Sequence, residues 1–284
     1  MKLSIQGQLD YYVEEPGTLL FAIRCPDTSH QRVVRDNITL SENAVYRDSF
    51  AGPEGNRFTS VYVSEPGDFS LTYEAEIETS YTLTGTGDVE NRSIHELPDE
   101  VLPYLFPSRY ASGDKLRNAA FDLFGVAGHP LQTAVAIEQW LNGNLHYQVG
   151  ASTEHSSAVD TFVSRTGVCR DFSHLGIAFC RALNIPARYV SVYSPDLSPQ
   201  DFHAVFEVYA GGNWFLFDAT RQVPLNRISR IATGRDAGEV AAASIFGRVT
   251  SYGISVSVVE ISGESDAPLH RGDLEEAGNA IRII

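Results

Sequence analysis

The sequence predicts an α+β fold, in which a β-sandwich-like N-terminal domain precedes a core where a helix-borne cysteine packs against an antiparallel sheet. Apolar and polar residues alternate along residues 1–84, as they do in half-buried strands. After Cys169, apolar residues recur at helical spacing as far as Leu183. Two runs rich in β-branched and aromatic residues flank Gly211-Gly212, which is the pattern of a hairpin.

The N-terminal domain is predicted from strand-like runs such as those at 57–63 and 68–77, which are separated by turn residues. Tyr11 and Tyr12 are adjacent on one such run, so we expect one to be buried and the other exposed; a binding surface formed by both is the alternative. This part of the sequence has no cluster of cysteine, histidine and carboxylate side chains. We therefore expect the domain to pack against the second domain or to shape its cleft.

A linker is predicted at residues 85–110, where glycine and proline interrupt any regular pattern. The second domain is assigned to residues 111–261. It is expected to open with a helix that is capped by Ser112 and closed by Gly125, followed by a second helix over about 133–142.

The C-terminal part contains three further predicted segments. Asp236 and Glu239 have the spacing of N-cap and N3 residues, which predicts a short helix there. A strand at 255–260 completes the second domain. The remainder, 262–284, is a polar tail that either moves freely or docks through its isoleucine residues.

Cys169 lies where a turn at Gly167 leads into the amphipathic helix. At a helix start, unpaired N–H groups and the positive end of the helix dipole favour a thiolate over a thiol. Cys169 is therefore a candidate nucleophile. A buried or capping cysteine would be the preferred interpretation if no base lay nearby.

The hairpin supplies a base and a residue to orient it. With a two-residue loop, Ala210 pairs with Asn213, and this register puts His203 and Asp218 on one face as diagonal neighbours. Their Cα atoms are then about 7–8 Å apart, within reach of an imidazole and a carboxylate. Cys169, His203 and Asp218 are therefore predicted to form a triad of nucleophile, base and orienting carboxylate.

Several stretches of the sequence resemble the transglutaminase-like superfamily, in particular its bacterial branch of candidate cysteine proteases. These stretches are Gly167-Val168-Cys169-Arg170-Asp171-Phe172-Ser173-His174-Leu175, Ala182-Leu183-Asn184-Ile185-Pro186-Ala187-Arg188-Tyr189-Val190, Asp201-Phe202-His203-Ala204 and Phe217-Asp218-Ala219-Thr220. The resemblance covers roughly 131–220 and extends to Gly234-Arg235-Asp236-Ala237 and the β-rich N-terminal half. It implies a papain-like/transglutaminase-like catalytic core with a Cys-His-Asp triad at Cys169, His203 and Asp218.

The resemblance implies a thiol-dependent hydrolase that cleaves peptide or side-chain amide bonds through a thioester acyl-enzyme, with a protein or peptide substrate and no cofactor. A transglutaminase, which passes the acyl group to an amine, would use the same triad. The absence of an Asp-x-Asp-x-Asp calcium loop and the protease-like branch favour hydrolysis. A catalytically silent binding module on the same fold is a further alternative, but it would be free to lose the three residues. No C-x-x-C or H-x-x-x-H pair is present, so no metal site is predicted.

Two residues near the triad are weaker candidates. Tyr147 lies on a short extended stretch upstream of the nucleophile, where related folds place a donor for the oxyanion; a structural tyrosine is the alternative. Asp171 lies in the first turn of the Cys169 helix, where a carboxylate stabilises the helix dipole or borders the site. His174 is about 140° round the helix from Cys169 and is not expected to be the base.

The formal net charge is −15, and residues 1–110 account for most of it with 8 basic and 18 acidic side chains. Such a balance repels nucleic acid and anionic membranes, so neither is a predicted partner. No apolar run reaches the ~20 residues that a membrane-spanning helix needs. Three cysteines fit no disulfide framework, and a cytoplasmic location is therefore predicted. The sequence carries no signal for an oligomeric state.

Overall fold

A computed structural model describes residues 1–52, 55–125, 128–261 and 266–283, which form mostly antiparallel sheets with few helices. The strands are β1 (Lys2–Val13), β2 (Gly17–Arg24), β3 (Gln31–Leu40), β4 (Ala44–Ala51), β5 (Asn56–Val63), β6 (Gly67–Thr79), β7 (Thr82–Gly85), β8 (His146–Tyr147), β9 (Thr166–Gly167), β10 (Ala187–Tyr193), β11 (His203–Ala210), β12 (Asn213–Phe217), β13 (Ser229–Gly234), β14 (Ala243–Phe246), β15 (Val249–Glu260) and β16 (Asn279–Arg282). The α-helices are α1 (Arg117–Phe124), α2 (Pro130–Asn144), α3 (Ala158–Ser164), α4 (Cys169–Ala182) and α5 (Arg271–Glu276). The predicted α+β class is confirmed.

The N-terminal half is a sandwich of two four-stranded sheets, with strand orders β15-β1-β6-β3 and β14-β2-β5-β4. Aromatic rings join the sheets across the core. The Phe21 ring on β2 lies 5.9 Å from that of Tyr11 on β1 and 6.4 Å from that of Phe69 on β6, measured between ring centroids. Tyr11 is buried and Tyr12 is exposed, as the alternation predicted.

The sandwich also contains chain from the far end of the sequence. β15 pairs with β1 along its length, from Leu3↔Glu260 to Val13↔Val249, and β14 pairs with β2. The sequence-based assignment put 255–260 in the second domain, 111–261, whereas this strand completes an N-terminal sheet. Alternation identifies a strand and its buried face, but pairing between distant strands depends on the whole fold.

The second half is built on the sheet β12-β11-β10-β13. The predicted hairpin register is confirmed, because the ladder runs from Ala210↔Asn213 to Phe206↔Phe217. Helix α4 packs against β10 and β11. The helix comes so close to the sheet that a Cβ added to Gly176 would lie 3.0 Å from the Phe206 ring.

The two halves are joined through β13. The Gln31 carboxamide exchanges two hydrogen bonds with the main chain of Arg230, at 2.9 and 2.7 Å. The Asn56 carboxamide does the same with Thr233, at 2.7 and 2.9 Å. Each buried side chain therefore substitutes for a strand partner at the edge of the sheet.

Two helix predictions are corrected by the structure. The first helix begins at Arg117, and its N-cap is Leu116 with no side-chain cap, so Ser112 does not cap it. Residues 112–116 form turns instead. The second helix, α2, is longer than predicted and has Pro130 in its first turn, where a missing N–H costs nothing. No helix in the described ranges is long and apolar enough to cross a membrane.

The C-terminal segment docks rather than moving freely over its described residues, 266–283. β16 pairs with β7. Ile281 and Ile283 are buried in a cluster with residues of the β12-β11-β10-β13 sheet, such as Leu216 on β12. Residues 262–265 and 284 of the predicted tail lie outside the described residues.

Candidate active site

Cys169 is the first residue of helix α4, and its main-chain position is fixed by Asp171. The N-cap residue, Val168, has an extended backbone and donates its N–H to Asp171 Oδ2 at 2.9 Å. Ser152 Oγ donates to the same oxygen at 2.5 Å, and Arg170 lies 3.0 Å from the other. Asp171 is buried, so these contacts hold the residue that precedes Cys169 in one conformation.

The contacts of Asp171 bear on both of its interpretations, stabilisation of the helix and a position beside the candidate site. The carboxylate stabilises the first turn of α4, because it accepts an N–H that the helix itself cannot satisfy. It also borders the candidate site, since its acceptor contact is with the residue next to Cys169.

His203 and Asp218 meet where the hairpin strands end. His203 Nε2 lies 3.1 Å from Asp218 Oδ2, and both side chains are almost completely buried, with 2% and 1% of their surface exposed. This contact leaves the other ring nitrogen, Nδ1, for the thiol. His203 and Asp218 are separated along the chain, and the hairpin register that the sequence predicted brings them together.

The turn after β12 holds the Asp218 carboxylate rigidly. Oδ1 accepts from the Thr220 N–H at 3.0 Å and from the Thr220 hydroxyl at 2.7 Å. Oδ2 accepts from the N–H groups of Gln222 and Val223 at 3.0 and 3.3 Å, besides contacting His203. A carboxylate with this many donors is stable in its ionised form despite burial.

The electrostatics favour a charged imidazole. Burial alone lowers the pKa of His203, but the charge and hydrogen bond of Asp218 and the neighbouring Cys169 thiol outweigh it and raise the pKa to about 10. Burial raises the pKa of Asp218, and this effect is outweighed by His203 and by the hydrogen bonds from Thr220, so the pKa is lowered. An imidazolium held between a carboxylate and a thiol stabilises a thiolate.

Tyr147 lies over the start of α4. β8 pairs with β9 so that Tyr147 is opposite Gly167, and the Tyr147 ring lies 6.2 Å from that of Phe172. The side chain is 44% exposed, which excludes the buried structural role. The pKa of Tyr147 is raised, first by burial and then by the Cys169 thiol. Hydrogen bonding to the Gln222 side chain and to the Cys169 main chain opposes this rise only in part.

Gln222 is a site residue that sequence reasoning missed. Its N–H contacts Asp218, and its side chain approaches the Tyr147 hydroxyl, so it links the carboxylate to Tyr147. The only sequence signal is its position four residues after Asp218 in a turn, which does not fix the direction of a side chain.

His174 is a buried, neutral residue that supports α4. Its ring is stacked on Tyr110 with centroids 5.1 Å apart, and its Nε2 accepts from the Ala237 N–H at 3.1 Å. Burial lowers the pKa of His174 to about 3. The ring is therefore uncharged at neutral pH, and its contacts with Tyr110 and Ala237 are structural.

The stretch at 235–239, directly after β13, consists of a bend and a turn, which corrects the predicted short helix. Asp236 Oδ1 accepts from the Gly238 N–H, and Oδ2 accepts from the Tyr110 N–H, both at 2.8 Å. Arg235 pairs with Glu239 at 2.6 Å, as a structural ion pair. Asp236 bonds Tyr110 of the linker as well as Gly238. Glu239 accepts from the Arg235 N–H instead of the Asp236 N–H, so this spacing does not start a helix.

Comparisons with known proteins agree with this geometry. Residues 117–219 match the family model of the transglutaminase-like superfamily, and residues 1–100 match that of the bacterial transglutaminase N-terminal domain. The crystal structure of a candidate cysteine protease from Cytophaga hutchinsonii is 37% identical, with a TM-score of 0.94 over 100% of this chain and 98% of that one. An uncharacterized protein of Mycobacterium leprae, ML0607, is 28% identical over 61% of this chain; the match spans 63% of that protein's length.

Proposed function

Because this chain belongs to the transglutaminase-like superfamily, we propose that it is a thiol-dependent hydrolase in which Cys169, His203 and Asp218 form the catalytic triad. The observation that carries the proposal is the buried contact of 3.1 Å between His203 Nε2 and Asp218 Oδ2, next to a thiol at a helix start. The substrate class is a peptide or side-chain amide, and no cofactor is part of the proposal.

The acylation step follows from the positions of the three groups. His203 Nδ1 takes the proton of the Cys169 thiol, and the thiolate attacks the carbonyl carbon of the amide. The C–N bond breaks as His203 returns the proton to the leaving amine, and a thioester on Cys169 remains. Asp218 holds the imidazole in orientation and stabilises its charged form throughout.

The oxyanion needs donors at the start of α4. The Cys169 N–H is one, because first-turn N–H groups have no partner inside the helix. Tyr147 is the second donor that we propose, since its hydroxyl neighbours the Cys169 main chain and its ring remains partly exposed to an incoming substrate.

Deacylation regenerates the free thiol. His203 accepts a proton from water, the hydroxide equivalent attacks the thioester carbonyl, and the Cys169 thiolate leaves. The three cysteines are free thiols, which supports our placement of the reaction in the cytoplasm. The acidic charge balance supports a protein or peptide partner rather than nucleic acid or a membrane surface.

The test is to trap the acyl-enzyme. The protein is incubated with a peptide library, quenched in acid and digested, and the Cys169 peptide is searched for mass increments. We expect an acyl adduct on Cys169 that is absent from Cys169→Ser, and product formation that is lost in His203→Ala. His155→Ala is the matched control, because this histidine is exposed and lies on a loop.

Two results would contradict the proposal. Equal peptide cleavage by Cys169→Ser would exclude the thiol as nucleophile. Neither adduct nor product with any library member would instead support a catalytically silent binding module on this fold.

A further inference from the structure

The C-terminal segment brings a buried arginine to the strand that ends in Asp218. Arg271 opens α5, and its Nη2 donates to the Leu216 carbonyl at 2.8 Å. Its guanidinium carbon lies 4.5 Å from the centroid of the Phe217 ring. Arg271 therefore contacts the two residues that immediately precede Asp218.

Arg271 also connects this strand to helix α2. Its Nε lies 2.5 Å from Glu138 Oε2, and both side chains are buried. Neither Glu138 oxygen has a hydrogen-bond partner within the described part of the chain, so its contact with Arg271 is an ion pair. The guanidinium of Arg271, together with that of Arg221, thus offsets a carboxylate in the interior, and breaking such a pair is costly.

A cavity of about 160 Å³ is lined both by this pair and by Asp218. Its charged and titratable lining residues are Glu138, Asp218, Arg221, His270 and Arg271. Burial raises the pKa of Glu138 to about 7, Arg271 opposes the rise, and Asp218 adds to it. Asp218 and Glu138 therefore interact as like charges across the cavity.

We propose that Arg271 is a positioning residue for Asp218, which it holds through Leu216, Phe217 and the ion pair with Glu138. The inference rests on the proposed role of Asp218 in the triad. It assigns a part of the site to the C-terminal segment, which lies beyond the residues matched by the superfamily model, 117–219.

Two physical effects are expected when the guanidinium is removed. The Leu216 carbonyl loses a buried donor, which frees the end of β12 to shift. Glu138 loses the cation that holds its pKa down, so it binds a proton near pH 6 and the ion pair that ties β12 to α2 is lost. Either effect weakens the His203–Asp218 contact, and a His203 that binds its proton less tightly stabilises less of the Cys169 thiolate.

The experiment uses the full chain and needs no substrate. Alkylation of Cys169 by iodoacetamide is followed by mass spectrometry from pH 5 to pH 9 for wild type, Arg271→Met and Arg271→Lys. A drop of one unit in the pKa of His203 shifts the balance between ion pair and neutral pair about tenfold. We therefore expect several-fold slower alkylation near pH 6 in Arg271→Met and partial recovery in Arg271→Lys.

Controls separate positioning from stability. Labelling of the buried Cys25 and Cys180 reports unfolding in the same samples. Arg24→Met removes a buried, ion-paired arginine from the sandwich, and its Cys169 profile should match wild type. The double variant Glu138→Gln, Arg271→Met removes the unpaired carboxylate, and should regain thermal stability while keeping the slow alkylation.

The outcomes are distinct. A wild-type Cys169 that reacts no faster than Cys25 would overturn the proposed function itself. A fast wild type with an unchanged profile in Arg271→Met would overturn the role of Arg271 alone. A normal profile in the double variant would also overturn it, because the slow alkylation of Arg271→Met would then come only from the unpaired Glu138 side chain and not from the lost contacts of Arg271 with Leu216 and Phe217.

Discussion

Gly167 lies directly against Asp171, the residue whose carboxylate fixes the start of the Cys169 helix. A Cβ added to Gly167 would lie 2.6 Å from Asp171 Cβ and 2.9 Å from its Oδ2. Real Cβ atoms do not approach other atoms this closely, so any side chain at 167 would displace Asp171. The turn needs glycine because of this close approach and not because of its backbone angles.

Gly167→Ala should therefore reduce the reactivity of Cys169. Moving Asp171 breaks its hydrogen bond from the Val168 N–H, and overpacking of this kind costs about 1–3 kcal/mol of the free energy of unfolding. We expect a lower melting temperature together with slower alkylation of Cys169. Gly143→Ala is the matched control, because Gly143 is exposed in α2 with open space around it. Unchanged alkylation in Gly167→Ala would show that the start of α4 tolerates displacement of Asp171.

The three cysteines should differ sharply in labelling. Burial raises the pKa of both Cys25 and Cys180 to about 12, and both thiols are completely buried. Cys169 is partly exposed at a helix start beside His203. We expect iodoacetamide to modify Cys169 first at pH 6–7, and all three cysteines only after denaturation. Equal labelling of the three in the native protein would remove the case for an activated thiol.

Asp218→Asn should shift the pH dependence of the protein. The pKa of His203 is raised from its ordinary 6.5 to about 10, chiefly by Asp218 once burial is overcome, so the folded state binds an extra proton between these values. The stability from this contact is therefore complete below pH 6.5 and is lost as the pH rises through about 10.

The asparagine variant lacks the charge that holds this proton. We expect its free energy of unfolding, measured with urea from pH 6.5 to pH 10, to vary less with pH than that of wild type. The alkaline limit of turnover should also move to lower pH, and turnover should fall by orders of magnitude because the imidazole loses its orientation. Native turnover in a folded variant would show that Asp218 does not orient His203.

The sequence was informative where the structure depends on local pattern. The hairpin register follows from a two-residue glycine loop, so the neighbourhood of His203 and Asp218 could be predicted. The start of α4 at Cys169 likewise follows from a glycine turn and apolar spacing.

Contacts between distant segments could not be predicted in the same way. Glu207 had no assignment, yet it forms a completely buried ion pair with Arg188 at 2.7 Å and another with Arg230. Its neighbours in sequence are apolar strand residues, and the two arginines come from strands that only the folded sheet brings together. The pairing of β15 with β1 and the docking of Arg271 are of the same kind.

The fate of the acyl-enzyme separates hydrolysis from acyl transfer. Water is present at about 55 M, so an amine competes only where a protein site concentrates and orients it, as effective molarities of that size require. The lysines of this chain offer little for self-cross-linking, since Lys2 is paired with Glu76 at 3.0 Å and the other is Lys115. We therefore expect water to be the main acceptor and a millimolar primary amine to divert a minor part of the flux. The measurement follows a reactive peptide substrate by mass spectrometry with and without the amine, and Cys169→Ser serves as the blank. If the amine adduct is the main product at modest amine concentration, the protein is a transglutaminase and the hydrolase proposal is wrong.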